Sequence, residues 1–113
     1  MAYFAVTTVH GPNWDASKAG LRGIREQDAF DQHGEFMDRL VSEGFVILGG
    51  PLGDGEEALL IVEADSEAEV RERMANDPWK PMGLLYVGEI RPWTIWLGTP
   101  ANGAPLTAVV RQA

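Results

Sequence analysis

Two histidines and no cysteine stand among the 113 residues. Without a thiol, disulfides, thiol catalysis and cysteine-based metal sites are excluded. The chemistry left to such a chain is proton movement by an imidazole, oriented by a carboxylate. His33 is the histidine placed for it. Phe30, His33, Met37, Leu40 and Val41 recur at helical spacing, so His33 shares an inward-facing stripe. An inward histidine is also met as a core residue satisfied by backbone, and spacing alone does not separate the two readings. Asp77 is the candidate partner, because it precedes Pro78 where the chain turns back after a second helix. An Asp-Pro pair is equally a turn former through its own side-chain bond to backbone. Asp31 and Asp54 are weaker alternatives.

Other residues could build a pocket around such a pair. Gly49-Gly50-Pro51 would let backbone pass close to a ligand and offer an amide to an oxyanion, or would simply serve a hairpin. Trp79 and Trp93 supply flat apolar surface for a pocket wall, or for the core. Arg22 and Arg25 could clamp a substrate carboxylate, or cap a solvated helix start. No metal is expected, since His10 and His33 are too far apart for a ligand pair on one helix. No nucleotide cofactor is expected either: the glycines at 49, 50, 53 and 55 lack the Lys-Ser/Thr of a phosphate loop.

The elements that must position these residues read off in order. Tyr3 to Val9 is β-branched and aromatic and predicts a strand. Asn13 to Gly23 carries loop signals around Trp14, which either serves a functional loop or lids the core. Ile24 to Gly44 predicts the first helix, with Gly44 as its stop. Phe45 to Leu48 predicts a second strand, running into a glycine-dense hairpin connection from Gly49 to Gly55. Ala58 to Ala64 is a near-continuous apolar strand. Ser66 and Glu69 form a capping box that opens a second helix, with Val70 and Met74 on its buried side. Leu84 to Trp96 predicts a last strand interrupted at Pro92, which belongs at a bulge, bend or edge. Residues 98–105 read as a linker, and the tail as an extra strand or a disordered end.

The order is β-α-β-β-α-β, an α+β ferredoxin-like arrangement with a four-stranded antiparallel sheet over residues 1–97 and a tail over 98–113. Two helices cover one sheet face. The other, apolar as well, calls for a second copy packed against it as a homodimer. The charge balance narrows the partners. Seventeen acidic and nine basic residues give a net charge of −8 and a pI near 4.6. Nucleic acids and anionic membranes are bound largely through Lys and Arg, so neither is expected as a partner. A small-molecule ligand is expected instead. Apolar runs such as Ala58 to Val62 are far short of a membrane span, and no signal peptide is apparent; a cytoplasmic location fits.

Taken together, these pieces resemble the YCII-related (YciI-like) family of the dimeric α/β-barrel superfamily. The carriers are the opening strand, Ile24-Arg25-Glu26-Gln27 followed by His33, Gly49-Gly50-Pro51, Ala64-Asp65-Ser66, Asp77-Pro78-Trp79 and Arg91-Pro92-Trp93. The resemblance runs from Tyr3 to about Leu97 and implies a ferredoxin-like protomer that dimerises through its sheet. It also implies an active site at His33 and Asp77. The family includes a dechlorohydrolase of a chlorinated hydroxyquinone, and the related muconolactone isomerases move a proton on a small lactone. This chain departs from shorter members in a longer loop after the first strand and in its tail. The expected function is a cofactor-free enzyme using His33 and Asp77 for general acid–base chemistry, isomerisation or hydrolytic dehalogenation, on a small oxygenated ring compound. Arg25, Gly50, Pro51, Trp79 and Trp93 are the expected substrate-binding residues. The alternative is a dimeric module that binds a small molecule, or serves a partner, without chemistry.

Overall fold

A computed structural model describes residues 2–98. Strands β1 (Ala2–His10), β2 (Val46–Leu52), β3 (Glu57–Ala64) and β4 (Leu85–Pro92) form one antiparallel sheet in the order β2-β3-β1-β4. Helices α1 (Gly20–Arg25), α2 (Phe30–Ser42) and α3 (Glu67–Met74) complete an α+β ferredoxin-like arrangement. The tail, expected as an extra strand or a disordered end, falls outside the described residues from residue 99 on.

Strand alternation sorts the side chains into two layers. Phe4 and Val6 of β1 face the same side as their partners Val62 and Leu60 of β3. That side meets Phe36 and Leu40 of α2, Val70 and Met74 of α3, and Ile90 of β4, all buried in one core. Full burial of each such side chain contributes about 1.5–3 kcal/mol, so this layer holds the helices on the sheet. On the other face, Leu48 pairs with Ile61 and Tyr86 with Val9. Leu48 is 63% exposed there, and Leu52 and Tyr86 also reach solvent.

Three local expectations are corrected. The helix expected over 24–44 is two helices, and α1 begins inside the stretch expected as loop. The break falls at Ala29, which adopts a left-handed conformation (φ 57°). An unbroken helix would pair the Asp28 carbonyl with the Gln32 amide; instead it accepts the Trp79 indole N–H at 2.6 Å. Val41, expected inward, is 53% exposed, and Phe36 takes its place in the core. Finally, Gly49-Gly50-Pro51 is not a turn. All three lie within β2, on an edge of the sheet, and the turn spans 53–56. Gly49 is required by packing: a Cβ there would sit 2.4 Å from Leu60 Cδ2 and 3.0 Å from the Leu59 carbonyl.

Elsewhere the local chemistry forms as read. The Glu69 amide donates to Ser66 Oγ at 3.1 Å, and Glu69 Oε1 accepts the Asp65 amide at 2.7 Å. Pro92 lies on the other sheet edge as expected, but β4 ends there and does not continue to Trp96: Trp93 N–H carries the pairing one step further to the Tyr3 carbonyl, and residues 94–98 form no strand.

Candidate active site

His33 is the fourth residue of α2, closing its first turn at the margin of the buried face. Asp77 lies three residues past α3, in the turn that leads to β4. The fold brings them together across 44 positions of sequence. His33 Nδ1 lies 2.8 Å from Asp77 Oδ2 and 3.0 Å from Oδ1. A carboxylate only accepts, so Nδ1–H is the donor. In the neutral ring that fixes the tautomer, with the lone pair on Nε2.

The Asp77 side chain is only 5% exposed. Its Oδ1 also accepts the Trp79 backbone N–H at 2.9 Å. The turn-forming role and the histidine-orienting role therefore coexist in one carboxylate. Trp79 is itself fully buried, and its indole lies flat against the His33 ring, with centroids 3.9 Å apart and planes 6° from parallel. The indole N–H holds the Asp28 carbonyl beneath the start of α2. Imidazole, carboxylate and indole thus lock one another, and His33 has little freedom to rotate away.

His33 borders a cavity of about 230 Å³, with Asp77 behind the imidazole and outside the lining. An apolar cavity of about 150 Å³ suffices for benzene, so this one suits a single substituted ring. Leu60, Met37, Ile24 and Leu85 give it apolar walls, and Trp79 and His33 close one side. Gly50 and Pro51 line its sheet edge, with Gly49 beside them. A larger groove of about 480 Å³ lies between α2 and α3, but it is lined by Gln32, Glu35, Arg39 and other polar groups and does not reach His33 or Asp77.

The remaining expected positions lie elsewhere. Arg25 and Arg22 point to solvent from α1, and neither lines the cavity, although Ile24 between them does. Trp93 sits past the end of β4, 43% exposed and outside the cavity lining. Asp31 is exposed, and Asp54 serves the hairpin turn by accepting the Glu56 amide. Among the described residues no group of three or more His, Asp or Glu is placed to hold a metal ion, and no helix is long and apolar enough to cross a membrane.

Two more residues contribute: Trp14, open in the sequence between a functional loop and a lid on the core, and Gln27, which spacing does not single out. Trp14 lines the cavity and meets Trp79 edge-on at 5.4 Å. Gln27, 4% exposed, clamps the loop that carries Trp14: its Oε1 accepts the Asp15 amide and its Nε2 donates to the Asp15 carbonyl, both at 3.0 Å. Next to it, hydrogen bonds from the Ser17 hydroxyl and amide hold the Asp15 carboxyl below its ordinary value of 3.8.

Comparison with known proteins follows the same lines. The family model of the YCII-related domain matches residues 10–94. No curated protein matches the chain. Among solved structures it is similar to the 5-chloro-2-hydroxyhydroquinone dehydrochlorinase TftG of Burkholderia phenoliruptrix AC1100, in its complex with 2,5-dihydroxybenzoquinone. The identity is 26%, over 80% of this chain and 92% of that one, with a TM-score of 0.59. The matched span takes in both members of the His33–Asp77 pair, strands β2 to β4 and every cavity-lining residue except Thr8; the chain belongs to the YCII-related family.

Proposed function

We propose that the protein is a cofactor-free enzyme that moves protons on a small oxygenated ring compound, with His33 as general acid–base and Asp77 as its orienting carboxylate. The observation that carries this reading is the 2.8 Å bond from His33 Nδ1 to Asp77 at the wall of an apolar, ring-sized cavity. It leaves Nε2 as the nitrogen that meets a ligand. The relative that binds a dihydroxybenzoquinone supports a ring of that class as substrate.

Two reactions fit the arrangement. In an isomerisation, Nε2 takes a proton from one carbon and the imidazolium returns it to another. In a hydrolytic dehalogenation, Nε2 takes a proton from water as its oxygen bonds to the halogen-bearing carbon of an activated ring; halide then leaves with the carbon–halogen electron pair. In either case Asp77 stabilises the imidazolium formed. A positioned acid–base group contributes about 10²–10⁴-fold, enough for activated rings. Gly50, Pro51 and Trp79 form the ring's surroundings, while Arg25 and Trp93 would take part only from a partner subunit or after movement.

A homodimer through the open sheet face belongs to this reading, because exposed Leu48, Leu52 and Tyr86 are costly to leave in water. A cytoplasmic location accords with the lack of cysteine.

The test is turnover of chlorinated and hydroxylated hydroquinones and quinones by the wild type and by His33→Gln. Turnover by the wild type, lost about 10²-fold or more in a variant that stays folded, is the expected result. Equal turnover by both would remove His33 from the chemistry. Binding without turnover by the wild type would favour the non-catalytic module.

A further inference from the structure

The second histidine also borders the cavity. Phe4, Val6, Thr8 and His10 alternate along one face of β1, and the last two line the cavity beyond the core. The His10 side chain is 20% exposed. Its ring lies flat on Trp14, with centroids 3.8 Å apart and planes 10° from parallel. This repeats the His33–Trp79 stack, and the two indoles meet edge to face. A single cavity is therefore bordered by two imidazoles, each braced by its own indole.

The His10–Trp14 stack is built rather than incidental. Trp14 N–H bonds back to the Gly11 carbonyl, and the Gly11 and Asn13 amides donate to the Leu84 and Gly83 carbonyls at 2.8 and 2.9 Å. Gly11 approaches so closely that a Cβ would lie 2.2 Å from the Gly83 oxygen. The Gln27 clamp fixes the next residue along. All this orders the loop that carries Trp14. Yet the His10 ring nitrogens make no hydrogen bond to any described residue. The nearest charge is Glu56 Oε2, 3.9 Å from Nδ1 and beyond hydrogen-bond distance, with the exposed Glu57 also at the rim. A polar ring held in place at a mostly apolar cavity, with its nitrogens unspent, is suited to a ligand's polar atom.

We infer that His10 is a second ligand-binding residue of this cavity, hydrogen-bonding an oxygen substituent of a planar ring while another oxygen of the same ring meets His33 Nε2. The inference rests on the reading of the cavity as a ring-binding site. It narrows the ligand class to rings with oxygens on two sides, and it makes His10 a determinant of specificity.

The two histidines are the only ones in the chain, so a ¹H–¹⁵N spectrum of the full-length protein shows just two imidazoles, assigned with His10→Phe and His33→Gln. The probe is 2,5-dihydroxybenzoquinone, with phenol as a ring bearing a single oxygen. Both imidazoles should shift on adding the quinone. His10→Phe keeps a flat ring against Trp14 and removes only the nitrogens. It should weaken quinone binding about five- to tenfold, the worth of one hydrogen bond, at unchanged melting temperature and unchanged phenol affinity. A shift at His33 alone, with wild-type affinity in His10→Phe, overturns the inference and leaves the His33 site standing. A shift at His10 alone keeps His10 as a binding residue but refutes the two-point contact and the reading of His33. No shift at either ring refutes both.

Discussion

Replacing Asp77 by Asn probes what the carboxylate does without changing its shape. In the native site Oδ1 accepts the buried Trp79 amide at 2.9 Å, and Oδ2 lies 2.8 Å from His33 Nδ1. An asparagine has one oxygen. The backbone amide cannot change its role, so that oxygen must stay on Trp79 N–H and the NH₂ must take the place of Oδ2. There it would confront Nδ1–H, donor against donor. The ring relieves the clash by moving its proton to Nε2 and accepting the amide N–H at Nδ1. Both hydrogen bonds survive, so the loss is one of charge assistance: about 1.5–3 kcal/mol for a bond to a charged group against about 0.5–1.5 for a neutral one. Part of that is returned, because a buried carboxylate no longer has to be desolvated. Stability should therefore fall by only about 1 kcal/mol. Turnover should fall far more, by about 10²–10⁴, because the nitrogen facing the ligand has become a donor. The comparable substitution in a serine-protease triad costs about 10⁴ through the same tautomer reversal. The assay is the ¹⁵N pattern of His33 at a pH where the ring is neutral, beside urea unfolding and turnover. An unchanged tautomer in Asp77→Asn, or turnover within a few-fold of wild type, would refute the orienting role.

Two further predictions concern the frame of the site. Gly49→Ala should cost about 1–3 kcal/mol in urea unfolding, since its methyl must displace Leu60 or part the β2–β3 pairing, whereas Gly50→Ala, whose Cβ meets nothing within 4 Å, should change stability by less than about 0.5 kcal/mol. Equal costs at the two positions would contradict the packing described. The Asp15 carboxyl titrates below 3.8 because Ser17 bonds to its ionised form. Its contribution to the Trp14 loop is therefore present above the unfolded value and is lost as pH falls through the lower, folded one. An NMR midpoint for Asp15 at or above 3.8 would refute that, as would a midpoint in Asp15 that Ser17→Ala fails to raise.

The order of strands and helices was legible because alternation and capping are local signals. Ser66 and Glu69 announce α3 within four residues, and Ala58 to Ala64 can hardly be anything but a buried strand. What failed was local pattern overruled by distant contacts. The helix break at Ala29 depends on an indole 51 positions from Asp28. Gly49 and Gly50 look like a turn to any reading by residue type, whereas Gly49 is a glycine because Leu60 presses on it from the next strand. The His33–Asp77 pairing spans 44 residues, and spacing could not choose between a turn aspartate and a partner aspartate; family resemblance supplied that preference. His10 was readable in principle. It continues the Phe4, Val6, Thr8 alternation, but at the end of a strand next to Gly11-Pro12 its inward direction carries weight only once the loop beyond is seen to fold back over it.

On the proposed reading, the cavity holds an oxygenated ring against His33 while Asp77 holds the far side of the imidazole. A crystal structure of the protein with 2,5-dihydroxybenzoquinone tests it most directly. The ring should lie between the two His–Trp stacks, with an oxygen within about 2.6–3.2 Å of His33 Nε2 and the Nδ1–Asp77 bond intact. A ring bound outside the cavity, or one bound within it only after His33 has swung away from Asp77, would contradict the account.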